Sequence, residues 1–174
     1  MADLYSNNDD GYVQGSTVST WAGARDDTTG AAAITSPTSS ANFVLVNKNS
    51  GRRGGTTYAI NRSFMYFDTS GITGTVSAAA IKVYGYSAND GSVIAVKSTA
   101  FGGDGGTALA TADLDAITGY SAGSSLAGNA TIYGPQILTS SWSTSGYNDF
   151  TGTSDLRADM QNNDVVIICF MDIQ

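Results

Sequence analysis

Two residue types that carry much of enzyme chemistry are missing or scarce. The chain has no histidine, and its one cysteine is Cys169. The lack of histidine excludes Ser-His-Asp triads, Cys-His dyads and imidazole metal sites. Cys169 lies in the apolar run of residues 165–171, where a cysteine behaves as a small buried hydrophobe rather than as a nucleophile. We therefore expect a protein that is not an enzyme and has no intrachain disulfide.

Charge is also sparse and mostly of one sign. Only 13% of the residues are charged, all 15 acidic residues are aspartate, and the net charge is -7. Lysine and arginine cluster nowhere beyond Arg52-Arg53, whereas nucleic-acid binding relies on a basic patch. No apolar stretch reaches the roughly 18 residues of a membrane span, and residues 1–7 lack the features of a signal peptide. We expect neither nucleic acid nor a membrane as a partner, and synthesis in a cytoplasm.

The residues that are abundant favour strands and turns. Glutamate is absent and lysine is rare, although both are common on helix surfaces, while glycine, serine, threonine, asparagine and aspartate favour turns and strands. About eight to ten short apolar segments are separated by turn signals, with no strand–helix alternation. Among them are Phe43–Val46, Ser92–Lys97 and Val165–Phe170, with Tyr147–Thr151 as a further candidate. The sequence therefore predicts one all-β domain over residues 1–174, an antiparallel β-sandwich or jelly roll with at most one or two short helices.

One stretch shows this strand–turn pattern most clearly. Phe64–Phe67 is aromatic and apolar, as suits a buried strand. Asp68–Gly71 is typical of a turn. In the strand that follows, Ile81 and Val83 alternate with Lys82 and Tyr84, so we expect one buried face and one exposed face.

The same stretch carries a family resemblance. The pattern R-S-F-x-x-F-D-T-S-x-I, followed by V-x-x-A-x-I-x-V-Y, resembles the DNRLRE-type β-sandwich modules over roughly residues 10–97. Those modules are jelly rolls of extracellular carbohydrate-binding modules and of phage virion proteins. The resemblance implies a jelly-roll fold, surface binding and, in some members, a structural calcium ion. Within the pattern we interpret Arg62 and Asp68 as closing strand ends and Phe67 as filling the core.

Three aspartate-rich places are candidates for that calcium ion, because hard cations take oxygen ligands. Aspartate and asparagine also occupy ordinary turns for backbone reasons, so both interpretations stand, and no other cofactor is expected. The candidates are Asp9 and Asp10 beside Asn7-Asn8, Asp26 and Asp27, and Asp104 with Asp113 and Asp115.

The aromatic residues allow two functions. Trp21, Trp142 and the many tyrosines could stack on sugars, or could anchor a core or an interface. Our first hypothesis is a virion structural protein of a tailed phage, a capsid decoration, cement or fibre-like component that binds capsid or tail proteins and resides in the virion. It rests on the resemblance, the low charge, and the lack of a leader or linked catalytic domain. The alternative is a carbohydrate-binding module, and a hydrolase using paired aspartates is a third and remoter hypothesis.

The last apolar strand bears on self-association. An unprotected apolar strand at Val165–Met171 would invite pairing with another copy, and the resemblance to phage decoration and fibre proteins points to a cyclic trimer. The other interpretation places this strand at the centre of the monomer. In both cases we expect Cys169 to be inaccessible.

Overall fold

The computed structural model describes residues 3–7, 9–35, 45–50, 55–120 and 129–172. Within these residues the chain forms nine strands, two short α-helices and three 3₁₀ turns. The helices are α1 (Trp21–Arg25) and α2 (Ser154–Asn162), and the 3₁₀ turns are Phe101–Gly103, Thr111–Asp115 and Thr139–Ser141. The strands are β1 (Gly11–Gln14), β2 (Ala32–Thr35), β3 (Leu45–Ser50), β4 (Thr56–Asp68), β5 (Ala80–Tyr84), β6 (Ser92–Lys97), β7 (Ile132–Leu138), β8 (Tyr147–Thr151) and β9 (Val165–Met171).

The strands form two antiparallel sheets of unequal size. Seven strands make the large sheet in the order β2-β1-β4-β9-β6-β7, with β3 also paired to β4, and β5 pairs with β8 in the small sheet. The long strand β4 pairs with three strands of the large sheet. Strand β1 pairs with one edge of β4, whereas β3 pairs with the first half of the opposite edge and β9 with its second half. The predicted all-β antiparallel fold is confirmed, whereas a jelly-roll connectivity is not.

Both faces of the large sheet are buried. Strand β9 directs Ile167 and Cys169 to one face and Ile168 and Phe170 to the other, as expected of a continuous apolar run. The first face is covered by the irregular segment 98–120. The second is covered by the small sheet and α2, which contribute Ile81, Phe150 and Leu156.

Strand β9 lies in the interior of the sheet, with β4 on one edge and β6 on the other. The central-strand interpretation is therefore confirmed, and β9 offers no free edge for pairing with another copy. Cys169 is completely buried, and burial raises the pKa of its thiol to about 12. The expected inaccessibility of this cysteine is confirmed.

Two segments rich in small residues are more structured than their composition indicates. The glycine-rich stretch at 101–106 begins with Phe101, whose side chain is fully buried and whose φ is 56°. Phe101 belongs to the buried core on the first face of the large sheet. Residues 23–35, mostly small or polar in sequence, contain the end of α1 and all of β2. Phe43, Val44, Arg52 and Arg53 lie outside the described residues.

The two strands of the family-like motif belong to different sheets. Strand β4 ends at Asp68 in the large sheet, and β5 begins at Ala80 in the small one. The connection therefore crosses from one layer to the other instead of closing a hairpin. This crossing carries β5 over the second face of the large sheet.

Candidate functional site

The outer side of the small sheet presents the most distinctive exposed side chains. Strand β5 alternates as its sequence predicts, with Ile81 directed inward and Lys82 and Tyr84 outward. Strand β8 alternates in register, so that Tyr84 lies opposite Tyr147 and Lys82 opposite Asp149. We call these four outward residues the tyrosine face.

The two rings of the tyrosine face contact each other and remain exposed. Tyr84 and Tyr147 are 60% and 66% exposed, their ring centroids are 5.4 Å apart, and the ring planes are 89° apart. The Tyr84 hydroxyl donates a hydrogen bond to the Ser145 carbonyl oxygen at 3.0 Å, which fixes its ring. Tyr86, two residues beyond Tyr84, is 86% exposed. Exposed aromatic rings held in place are typical of binding surfaces.

The charges of the tyrosine face balance. Lys82 Nζ lies 3.6 Å from Asp149 Oδ2, and both side chains are more than half exposed. Such exposed pairs contribute about 0–1 kcal/mol to folding. The pair therefore leaves the face nearly neutral without adding much to stability.

A buried polar cluster supports the tyrosine face from below. Asn148 points inward from β8, accepts a hydrogen bond from the Ser143 N–H at 2.8 Å and donates to the Ser143 carbonyl at 3.0 Å. Gly85 lies against the same segment, where a Cβ atom would overlap the Ser143 carbonyl oxygen and lie 2.6 Å from Trp142 Nε1. Glycine is required at position 85 by this close approach.

Neither tryptophan belongs to the exposed aromatic set. Trp142 is half-buried and packs on Phe150 with ring centroids 6.2 Å apart. Trp21, also half-buried, opens α1 and packs on Tyr58. The two residues singled out from the sequence thus mainly contact the protein's own side chains, and tyrosines supply the exposed rings. The sequence did contain a signal for these exposed rings. Tyr84 occupies an outward position of an alternating strand, and Tyr86 follows two residues later.

Asp10 is buried, at 5% exposure, and its carboxylate is bound to the main chain. Its Oδ1 accepts a hydrogen bond from the Tyr66 N–H at 3.1 Å, and the Asn7 N–H donates to the Tyr66 carbonyl at 3.1 Å. The N-terminal segment thereby occupies both main-chain groups of Tyr66. Burial raises the pKa of Asp10 to about 6, against opposing hydrogen bonds from Ser6 and the Tyr66 main chain.

Asp26 and Asp27 have other partners. Asp26 forms a two-point ion pair with Arg25, at 2.6 and 2.8 Å. Asp27 accepts hydrogen bonds from the main-chain N–H groups of Ser16 and Thr29.

The remaining candidate ligands also serve local structure. Asp9 is exposed, and Asn8 lies outside the described residues. Asp104 accepts from the Gly106 N–H at 2.8 Å, and Asp113 accepts from the Ala110 N–H at 2.9 Å. In the described part of the chain no group of three or more histidine, cysteine or acidic side chains is placed to share a metal ion. Calcium needs six to eight oxygen ligands, and these residues do not form such a shell.

The three motif residues lie at three different depths. Arg62, expected at a strand end, lies inside β4 and is almost fully buried, with its Nη1 donating to the Leu114 carbonyl at 2.5 Å. Phe67 is half-buried and packs against the apolar cluster on the second face of the large sheet. Asp68 does end β4, and its Oδ1 accepts from the Ser70 hydroxyl and N–H, which lowers its pKa.

Arg62 also joins β4 to the covering segment. Its guanidinium lies 5.1 Å from the centroid of the Tyr120 ring, and Nη1 is 3.7 Å from Asp115 Oδ1. Burial raises the pKa of Asp115, while the charge of Arg62 opposes the rise. These contacts fasten residues 114–120 over the first face of the sheet.

A second polar cluster, which the sequence did not reveal, anchors α2. Asp159 accepts hydrogen bonds from the Tyr133 hydroxyl, from Lys97 Nζ at 2.8 Å and from Asn163 Nδ2 at 2.9 Å. Burial opposes ionisation of Asp159, but these donors and the lysine charge bring its pKa below the ordinary value. Burial and Asp159 raise the pKa of Tyr133. Tyr133 is thus kept protonated, and the cluster works as a structural clamp between α2 and the strands β6 and β7.

Comparison with known proteins adds no relative to this description. No family model, curated protein or solved structure matches the chain. No helix in the described ranges is long and apolar enough to cross a membrane. The DNRLRE-type resemblance stays a prediction from the sequence pattern.

Proposed function

We propose that this protein is a non-catalytic binding protein that docks on other proteins through the tyrosine face. The observation that carries the proposal is the pair of exposed tyrosines, Tyr84 and Tyr147, held on the outer side of a two-stranded sheet. Tyrosine is enriched in protein interfaces because it combines a large apolar ring with one polar group. The Lys82–Asp149 pair leaves the face without a net charge that would repel a partner of either sign.

The angle between the rings favours a protein partner over a polysaccharide. A flat sugar chain stacks best on rings that turn their faces the same way, whereas these two planes are 89° apart. The two rings therefore cannot both lie flat against one planar ligand. A protein partner can contact such a non-planar pair of rings with side chains of different shapes.

We further propose that the partner is a capsid or tail protein and that the chain is a structural component of a tailed-phage virion. Two features of the sequence support this: the R-S-F-x-x-F-D-T-S-x-I pattern of residues 62–72 and the low-charge β composition. Self-association within the virion belongs to the same proposal. Strand β9 does not support self-association, because both of its edges are paired within the molecule.

The test is cosedimentation of purified protein with particles of the phage whose genome encodes it. We expect the wild type to bind, and a Tyr84→Ser/Tyr147→Ser double variant to bind at least about tenfold more weakly, as for two interface tyrosines. Tyr5→Ser is the matched control, because Tyr5 is 85% exposed but lies outside the face. An unchanged affinity of the double variant, or wild-type protein that binds no particle, would contradict the proposal.

Glycan recognition is the second candidate, and the exposure of Tyr86 beside Tyr84 is the observation that favours it. A third ring could provide the stacking surface that the perpendicular pair lacks. Retention of the wild type on insoluble polysaccharides, lost in Tyr86→Ser, together with no binding to particles, would transfer the function to a carbohydrate-binding module.

A further inference from the structure

The loop of residues 143–146 carries the group that holds the Tyr84 ring. The carbonyl oxygen of Ser145 accepts a hydrogen bond from the Tyr84 hydroxyl at 3.0 Å. Tyr84 is 60% exposed, and exposed side chains change rotamer rapidly unless something ties them. The ring of Tyr147 contacts that of Tyr84, with centroids 5.4 Å apart. The position of the Ser145 carbonyl therefore bears on the arrangement of both rings.

The loop is itself held at both of its ends. At the first end, the Asn148 side chain accepts a hydrogen bond from the Ser143 N–H at 2.8 Å and donates one to the Ser143 carbonyl at 3.0 Å. At the second end, the Gly85 N–H donates to the Gly146 carbonyl at 2.9 Å. Ser145 lies between these two attachments, so its carbonyl oxygen has a defined place beside β5.

Asn148 is suited to hold the loop because it is buried and both of its polar atoms are bonded. It lies in β8 and is 5% exposed. Besides its bonds to Ser143, its Nδ2 donates to the Val83 carbonyl in β5 at 3.4 Å. Turning the amide over would place its oxygen against two carbonyl groups and leave the Ser143 N–H without an acceptor. The amide therefore has one favourable orientation, in which it joins the loop to both strands of the small sheet.

We propose that Asn148 is the positioning residue of the tyrosine face. It fixes the start of the loop, which brings the Ser145 carbonyl to the Tyr84 hydroxyl. Tyr84 in turn orients Tyr147, so that both rings are in place before a partner binds. This role rests on the proposed function, because it concerns the docking surface named there. Rings that are oriented in advance lose less rotamer freedom on binding, which favours affinity.

The size of the effect follows from the weakest contact in the series, the exposed hydrogen bond between Tyr84 and Ser145. A single hydrogen bond of this kind changes an equilibrium by a factor of about three to ten. Loss of the Asn148 amide should therefore weaken binding by about three- to tenfold, which is less than the loss of both rings. An asparagine with a merely structural role would lower stability without any coupling to the Tyr84 hydroxyl.

The first test uses the free protein. Nuclear magnetic resonance measures the χ1 rotamer populations of Tyr84 and the contacts between its ring and that of Tyr147. We expect one dominant rotamer in the wild type, and averaging over several rotamers in Asn148→Ala and in Asn148→Asp. The second variant keeps the shape of the side chain but replaces the donor with an oxygen that repels the Ser143 carbonyl. Tyr84→Phe, which cannot bond to Ser145, should show the same averaging, and thermal unfolding checks that every variant remains folded.

The second test measures binding to phage particles by cosedimentation. We expect Asn148→Ala and Tyr84→Phe each to bind about three- to tenfold more weakly than the wild type. Because Asn148 acts through the Tyr84 hydroxyl, Asn148→Ala should cause almost no further loss in a Tyr84→Phe background. The matched control is Asn61→Ala, which should bind like the wild type, since Asn61 is also buried, at 4% exposure, but lies in the large sheet.

Three results would each overturn the role of Asn148. They are an unchanged Tyr84 rotamer in the Asn148 variants, losses that multiply when Asn148→Ala and Tyr84→Phe are combined, and an equally large loss of binding in Asn61→Ala. Particle binding that requires the rings of Tyr84 and Tyr147 but neither Asn148 nor the Tyr84 hydroxyl would overturn this role alone and leave the proposed function standing. Wild-type protein that binds no particle would overturn both.

Discussion

The buried carboxylate of Asp10 makes a quantitative prediction about the pH dependence of stability. In the folded state its pKa is raised from 3.8 to about 6, chiefly by burial. A carboxyl group whose folded pKa is raised binds its proton more tightly in the folded than in the unfolded state. Stability from this group is therefore full below about pH 4, falls as the pH rises through the interval from about 4 to 6, and is constant above it.

The size of the effect follows from that interval. At about 1.4 kcal/mol per pKa unit, the rise from 3.8 to about 6 corresponds to roughly 3 kcal/mol. Asp10→Asn keeps an oxygen that can accept from the Tyr66 N–H but carries no charge. The free energy of unfolding of the variant, minus that of the wild type, should therefore increase by roughly 2.5 kcal/mol between pH 4 and pH 7, because pH 4 already lies just above the unfolded pKa of 3.8.

Urea unfolding at pH 4, 5, 6 and 7, followed by tryptophan fluorescence, measures this difference. The other titrating groups cancel in the comparison, so the pH dependence reports position 10. Asp90→Asn is the matched control, because Asp90 is an exposed aspartate in the loop before β6, and its difference from the wild type should stay nearly flat. A difference for Asp10→Asn that is independent of pH, or that decreases between pH 4 and pH 7, would refute the reasoning.

Two further predictions concern the interior. Asp159→Asn should lower the free energy of unfolding by about 1–3 kcal/mol at pH 7, because Lys97 and Tyr133 lose a charged acceptor. The pKa of Asp159 is lowered in the folded state, so this loss of stability should shrink as the pH falls below about 4. The control is Asp149→Asn, which removes an acceptor from an exposed ion pair and should change stability by less than about 1 kcal/mol. Cys169 should not react with a thiol reagent in the native protein and should react fully in denaturant, because it is completely buried; rapid native labelling would contradict its central position.

Local patterns in the sequence were sufficient for the character of single strands. The alternation of Ile81, Lys82, Val83 and Tyr84 predicts one buried and one exposed face, and β5 has both. The apolar run at Val165–Met171 predicts a strand, and its burial on both faces follows from the lack of any polar side chain to turn outward. These properties depend on the two-residue period of a strand, which neighbouring residues alone determine.

Tertiary structure decided which of these strands meet. Tyr84 lies opposite Tyr147, and Asp10 binds the main chain of Tyr66. The residues that surround Tyr84 and Asp10 in the sequence do not indicate these partners. The same holds for the aspartates, because a segment of the same local composition can hold either an exposed turn residue, such as Asp9, or a buried carboxylate, such as Asp10. The pairing of distant segments depends on how a whole layer buries its apolar side chains, and the free energy of that packing is distributed over many long-range contacts. The sequence therefore determined the faces of the strands, and the packing of the two layers determined where the exposed tyrosines and the buried Asp10 lie.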